Sequence, residues 1–100
     1  MPARISIDCY IVDALMPDLV GHDRQPSAFL VYLLLWSRSR GSRIRRTTMS
    51  LQQIALETGL SKSSVQHALR RLKRRGLITS SQKTPTSAPE YVVHAPWSKR

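Results

Sequence analysis

Two helix-start signals and two helix-stop signals alternate in the middle of the chain. Ser50 and Ser61 each precede a patterned stretch, and a serine hydroxyl there can accept a hydrogen bond from a free N–H of the first helical turn. Gly59 and Gly76 follow these stretches, and helices commonly end in a glycine with left-handed backbone. The predicted helices span 51–58 and 62–75.

The second predicted helix has one apolar side. Val65, Ala68, Leu69 and Leu72 recur at i, i+3, i+4 and i+7, which places them on a single helical face. Such a face packs into a core and leaves the opposite side in solvent. That opposite side is rich in arginine.

The residues around the turn have the spacing of a helix-turn-helix. This motif needs a small residue where the helices cross, a glycine in the turn and an apolar anchor early in the second helix. Ala55, Gly59 and Val65 meet these three needs, and Ile54 and Leu60 supply further apolar contacts.

Further elements are predicted on both sides of this pair. Ser27 is the predicted N-cap of a run of nine apolar residues, Ala28 to Trp36, which predicts a buried helix over 28–38 with Gly41 as its stop. Residues rich in β-branched and aromatic side chains predict short strands after it. These strands lie within 44–49, 77–81 and 90–94, and the last two form a hairpin.

The N-terminal residues are less distinctive. Ile5, Ile7, Cys9 and Ile11 alternate with polar residues, which indicates a short strand, and a brief helical turn within 13–20 is the alternative. The predicted domain division is an N-terminal arm over 1–26, a main domain over 27–95 and a frayed tail over 96–100.

The charge is concentrated in the middle of the chain. The net charge is +10, and residues 38–75 contain eleven Lys or Arg against Glu57 alone. A polyanion such as nucleic acid or an acidic membrane surface is the expected partner. Membrane binding needs a free apolar helix face, which the core already occupies, and the longest apolar run is too short to span a bilayer.

The sequence does not predict catalysis. His22, His67 and His94 are scattered without ligands at metal-binding spacing, and no glycine-rich phosphate loop occurs. We therefore expect no enzyme activity, cofactor, metal, membrane contact or small-molecule ligand. Cys9 is the single cysteine, which excludes an internal disulfide and favours a cytoplasmic location.

The helix pair also resembles a known family. The matching segment is MSLQQIALETGLSKSSVQHALRRLKRRGLITS, which resembles the winged helix-turn-helix of bacterial and phage DNA-binding proteins. The preceding FLVYLLLWSRSRG is similar to the first helix of the transcription-regulator and replication-initiator-like group. The resemblance implies a mainly α fold with a small β-hairpin (α+β) and a three-helix core. It implies helix 62–75 in the major groove and the hairpin 77–94 as the wing.

Candidate DNA contacts follow from this orientation, since the major groove admits the N-terminal part of a recognition helix. The residues predicted to approach base edges are Ser63, Ser64, Gln66, His67 and Arg70. The residues predicted to contact phosphates are Arg43, Arg45, Arg46, Ser50, Ser61, Lys62, Arg71, Lys73, Arg74, Arg75 and Lys83, the last at the wing tip with Thr84 and Thr86.

The predicted function is sequence-specific binding of double-stranded DNA by a transcriptional regulator. Two alternatives are also compatible with the sequence. One is a plasmid or phage replication-initiation protein that uses the same domain, and the other is a winged helix used for protein–protein contact. A homodimer is also compatible with the sequence, with residues 1–26 as the candidate contact.

Overall fold

The computed structural model describes residues 4–39 and 43–98, which form three α-helices, a three-stranded antiparallel sheet and an N-terminal helical segment. The helices are α1 (Pro26–Arg38), α2 (Leu51–Thr58) and α3 (Lys62–Arg74). The strands are β1 (Arg45–Thr48), β2 (Ile78–Ser81) and β3 (Glu90–Val93). The N-terminal segment has π-helical turns over Ile11–Leu15 and Pro17–His22. The predicted α+β fold is confirmed.

The helix pair forms as its capping residues predict. Ser50 Oγ accepts a hydrogen bond from the Gln53 N–H at 3.0 Å, and Ser61 Oγ accepts one from the Ser64 N–H at 3.1 Å. Gly59 ends α2 with a φ of +81°, a conformation that glycine adopts without steric cost. The bounds of α2 are those predicted, and α3 ends one residue earlier than predicted.

The first helix begins earlier than the sequence predicts. Pro26 lies in its first turn, where the missing N–H costs no hydrogen bond and the fixed φ suits a helix. The prediction that Ser27 caps α1 is wrong, because Gln25 is the N-cap residue and makes no side-chain capping bond. As predicted, α1 lies in the core, with Val31 and Leu35 fully buried.

The predicted hairpin is part of a larger sheet. β3 is the central strand, with β1 on one side and β2 on the other. Val93 of β3 is therefore opposite both Arg45 of β1 and Ile78 of β2. Tyr91 and Val93 point into the core and are buried, so one face of the sheet closes the helical core.

The N-terminal strand prediction is wrong, and the helical alternative is the correct one. Ile11, Leu15 and Leu19 are buried, and their four-residue spacing is helical. This longer-range pattern overrides the local alternation around Ile5 and Ile7. Because these three side chains join the common core, the N-terminal residues are an integral part of the fold.

The tail prediction is also wrong at Trp97. Its indole stacks on the ring of Tyr10 with centroids 4.6 Å apart, and its N–H donates to Asp8 Oδ2 at 3.1 Å. An aromatic contact thus joins the segment around Tyr10 to the segment around Trp97. The stop predicted at Gly41 and the last two tail residues, Lys99 and Arg100, lie outside the described residues.

Candidate nucleic-acid interface

The apolar stripe of α3 is buried, as the sequence predicts. Val65, Ala68 and Leu72 have no exposed surface, and Leu69 keeps 7%. The helix lies against α1 and α2 through this side. Its opposite side therefore faces solvent along its whole length.

The predicted base-reading residues lie on that exposed side, with one exception. Ser63, Gln66, His67 and Arg70 are exposed. Ser64 is half-buried, and its hydroxyl accepts a hydrogen bond from Ser61 Oγ at 3.0 Å. The exposed four form a continuous polar surface on the N-terminal part of α3.

A hydrogen bond orients two of these side chains. Arg70 Nη2 and His67 Nδ1 lie 3.0 Å apart. A guanidinium has no acceptor, so it is the donor, and the proton of the neutral imidazole is on Nε2. His67 thus presents an N–H donor, and Arg70 keeps its other donors for a planar acceptor such as the guanine edge.

Two of the predicted phosphate contacts are paired within the protein. Arg75 forms an ion pair with Asp18, and its Nε lies 3.3 Å from Asp23 Oδ2. Arg71 Nε donates to Gln25 Oε1 at 3.2 Å and lies 3.9 Å from Asp23 Oδ2. The N-terminal segment supplies these acidic partners, which no sequence pattern predicts.

Asp23 is the more buried of the two acidic residues. Its side chain is 7% exposed, and Oδ2 accepts no well-oriented hydrogen bond within the described residues. Its link to the two arginines is therefore mainly coulombic. A carboxylate this buried is stable only beside opposite charge.

Arg45, another predicted phosphate contact, is turned toward the core. Its guanidinium lies 3.8 Å from the ring centre of Trp36 and donates to the Trp36 carbonyl oxygen at 2.9 Å. It also donates to Ser39 O at 3.3 Å. These contacts hold the end of α1 against β1, so Arg45 has a structural role.

The other predicted phosphate contacts divide by their environment. The hydroxyls of Ser50 and Ser61 accept capping bonds from their own helices. The remaining cationic side chains are exposed. They are Arg43, Arg46, Lys62, Lys73, Arg74 and Lys83. Within residues 4–39 and 43–98, the arginine ion pairs involve Arg38, Arg71 and Arg75 alone.

The loop between β2 and β3 is held by its own hydrogen bonds. The Thr84 N–H donates to Ser87 Oγ, and the Ser87 N–H donates to Thr84 Oγ1, both at 3.1 Å. Gln82 Nε2 donates to the Ser87 carbonyl oxygen at 2.6 Å. Lys83 is exposed beside this closed turn, at the tip of the hairpin.

One cluster has the residue types of a metal site. Asp18, His22 and Asp23 bring ligand atoms within 4.8 Å of one another. Both carboxylates already face Arg75. A cation there would be repelled by this guanidinium, so the cluster is better suited to pairing with arginine than to binding a metal.

These features define a winged helix: α2 and α3 form a helix-turn-helix, and the β2–β3 hairpin that follows them pairs with β1 in a small antiparallel sheet. The model of a helix-turn-helix domain family matches residues 25–78, more than half of the chain, and the chain belongs to this family. No curated protein and no solved structure matches it. Helix-turn-helix domains place their second helix in the major groove, so membership indicates DNA binding. None of the helices in the described residues has the length and apolar character to cross a membrane.

Proposed function

We propose that the protein binds double-stranded DNA sequence-specifically as a transcriptional regulator. In this proposal α3 lies in the major groove and the hairpin of β2 and β3 is the wing. The observation that carries the proposal is that one side of α3 is apolar and buried, whereas the opposite side is polar, basic and exposed. Burial of Val65, Ala68, Leu69 and Leu72 fixes the rotation of the helix. Its exposed side is therefore held rigidly outward.

The N-terminal part of this exposed side reads bases in our proposal. Arg70 grips guanine with two hydrogen bonds, and Gln66 has the groups to do the same for adenine. Ser63 and His67 add single donors or acceptors. These polar groups are exposed in the absence of DNA. Groove binding can therefore give them partners while breaking at most the hydrogen bond between His67 and Arg70.

The phosphate contacts in this proposal surround the base-reading surface. Lys73 and Arg74 lie farther along α3, Lys62 lies at its start, and Lys83 lies at the wing tip. Contacts of this kind fix position and affinity but carry no sequence information. Arg43 and Arg46 precede α2 and contact the flanking backbone.

Salt dependence tests the proposal first. The logarithm of affinity for a random duplex should fall linearly with the logarithm of salt concentration, by about 0.9 per neutralised phosphate. Selection of bound duplexes from a random pool should then yield a preferred sequence. A flat salt dependence would reject duplex binding and favour the protein-contact alternative, whereas a steep dependence without a preferred sequence would reject specificity.

A pair of variants tests the orientation of α3. Arg70→Ala should relax the preference at one base position, with a cost of ~1–3 kcal/mol on the preferred sequence. Lys73→Ala should weaken binding to all sequences about equally. The reverse pattern would mean that the C-terminal part of α3 faces the bases.

A further inference from the structure

An open groove runs beside α3, between this helix and the chain that leads into α1. Its volume is about 420 Å³. Arg70 and Arg74 line it from α3, and Arg24 and Ser27 line it from the other side. The groove therefore combines the recognition helix with residues that are not among the predicted DNA contacts.

The lining of this groove is strongly cationic. Four arginines face it, namely Arg24, Arg70, Arg71 and Arg74. Within the described ranges, Arg71 is the one of these four whose charged group lies within ion-pair distance of a carboxylate. The other three repel one another across the opening, and an anion bound between them would relieve this repulsion.

Arg24 reaches the groove from an unusual backbone conformation. Its φ is +55°, in the left-handed region that side chains with a β-carbon seldom adopt. The turn itself would form more easily with glycine. The arginine side chain is thus not needed to make the turn, and its position in the groove is the feature that distinguishes it.

The start of α1 adds a hydroxyl group and the helix dipole on the same side. Ser27 lines the groove in the first turn of α1, whereas Pro26 has no N–H and the Ala28 N–H donates to the Gln25 carbonyl oxygen at 3.0 Å. The N-terminal end of a helix carries partial positive charge, which attracts anions. The hydroxyl group and the dipole support a site whose main attraction comes from the arginines.

We propose that this groove binds a backbone phosphate of the DNA duplex that α3 reads, with Arg24 as a phosphate contact from outside the helix-turn-helix. This inference rests on the proposed function. Guanidinium groups match the geometry of phosphate oxygens and bind them with paired hydrogen bonds. A free phosphate has the same chemistry, so the test separates the two sources.

The main test compares Arg24→Gly with Arg4→Gly in binding to a random duplex over a salt series. The Arg4→Gly variant loses the same charge at a site away from the groove. Arg4 is two residues from Ser6, whose carbonyl oxygen accepts a hydrogen bond from Trp36 Nε1 at the C-terminal end of α1. Arg24→Gly should weaken binding roughly 3- to 10-fold and reduce the salt slope by about 0.9. Arg4→Gly should leave the slope unchanged.

Two further variants keep the test independent of folding. Asparagine tolerates left-handed backbone, so Arg24→Asn should reproduce the loss without disturbing the turn. Arg24→Lys should retain the salt slope but bind less tightly, because a lysine cannot form the paired bonds. Circular dichroism establishes that each variant is folded.

The outcomes distinguish this inference from the function on which it rests. A steep wild-type slope that Arg24→Gly and Arg24→Asn leave unchanged overturns the groove assignment and leaves DNA binding intact. A flat wild-type slope overturns both. If inorganic phosphate, at matched ionic strength with chloride, displaces DNA from the wild type and from Arg24→Gly equally, the groove does not select phosphate, and the inference also fails.

Discussion

Two pairs of arginines lie at the C-terminal part of α3, the second pair including the C-cap residue Arg75, and their surroundings are opposite. Arg70 and Arg74 are exposed and line an open groove. Arg71 also lines the groove, but both it and Arg75 lie against the N-terminal segment, where Asp18 and Asp23 neutralise them. Each pair has i, i+4 spacing and so occupies one side of the helix. Neighbouring residues of a helix point about 100° apart, so a single step along the chain changes the partner from solvent to carboxylate.

This difference shows that local charge density overstates the surface available to DNA. The basic stretch from residue 70 to residue 75 contains five cationic side chains. Two of them stabilise the packing of the N-terminal segment on α3. We therefore expect the phosphate-binding capacity of α3 to come from Arg70, Lys73 and Arg74, which have the exposed positions.

The largest expected effect is the loss of duplex affinity when the exposed pair, Arg70 and Arg74, is removed. Arg70→Ala with Arg74→Ala should weaken duplex binding roughly 10- to 100-fold, because it removes a base contact and a phosphate contact. Arg71→Ala with Arg75→Ala removes the same charge and should change affinity much less. Fluorescence anisotropy at a fixed salt concentration measures both.

The second double variant is the matched control for net charge. Its cost should appear in stability, since it leaves Asp18 and Asp23 without their partners. Equal losses of affinity in the two double variants would contradict the distinction between the pairs and would point to net charge alone as the cause of binding.

The local elements of this molecule follow from the sequence because their causes are local. The caps at Ser50 and Ser61, the left-handed Gly59 and the stripe from Val65 to Leu72 act within one or two helical turns. Each can be recognised without knowing the rest of the fold. The exposed face of α3 follows from the stripe by geometry.

The partners of individual arginines depend on contacts between distant parts of the chain. Arg75 meets Asp18 across 57 residues of sequence. Arg45 does not lie on the predicted DNA surface, because its guanidinium packs on Trp36 at the end of α1. Neither contact has a sequence pattern of its own. Arg24 was missed for the same reason, because its place in the groove depends on how the loop before α1 meets α3.

The second prediction concerns Asp23, the buried carboxylate that neutralises Arg71 and Arg75 but does not pair with Arg70 or Arg74. Asp23→Asn should lower the free energy of unfolding by ~1–2 kcal/mol, because the buried carboxylate faces two guanidinium groups that stay partly hydrated. The same change should raise affinity for a random duplex and steepen its salt dependence, since Arg71 loses its counter-charge and Arg75 keeps Asp18 alone. Urea unfolding and anisotropy measure the two effects.

Asp13→Asn is the control for this change, because Asp13 is exposed and forms no ion pair within the described residues. It removes the same charge and should alter stability little. If Asp23→Asn lost stability without any gain in duplex binding, Arg71 and Arg75 would be structural in every state of the protein. That outcome would sharpen the contrast with Arg70 and Arg74 further.

The smallest expected effect is on the pH dependence of stability, and it comes from the exposed ion pair between Arg38 of α1 and Glu57 of α2. Glu57 is a surface carboxylate, in contrast to the buried Asp23. Hydrogen bonds from Gln53 and Arg38 lower the pKa of Glu57 from its ordinary value of 4.5. The folded state therefore binds this proton less readily than the unfolded state. Its stabilisation is complete above the ordinary pKa and is lost as the pH falls through the lowered one.

For an exposed pair we expect a loss below ~1 kcal/mol. The wild type should lose more stability than Glu57→Gln between pH 7 and about pH 3, by the amount that Glu57 contributes. Urea midpoints at the two pH values measure the difference. A larger loss in Glu57→Gln than in the wild type would assign the acid sensitivity to other carboxylates.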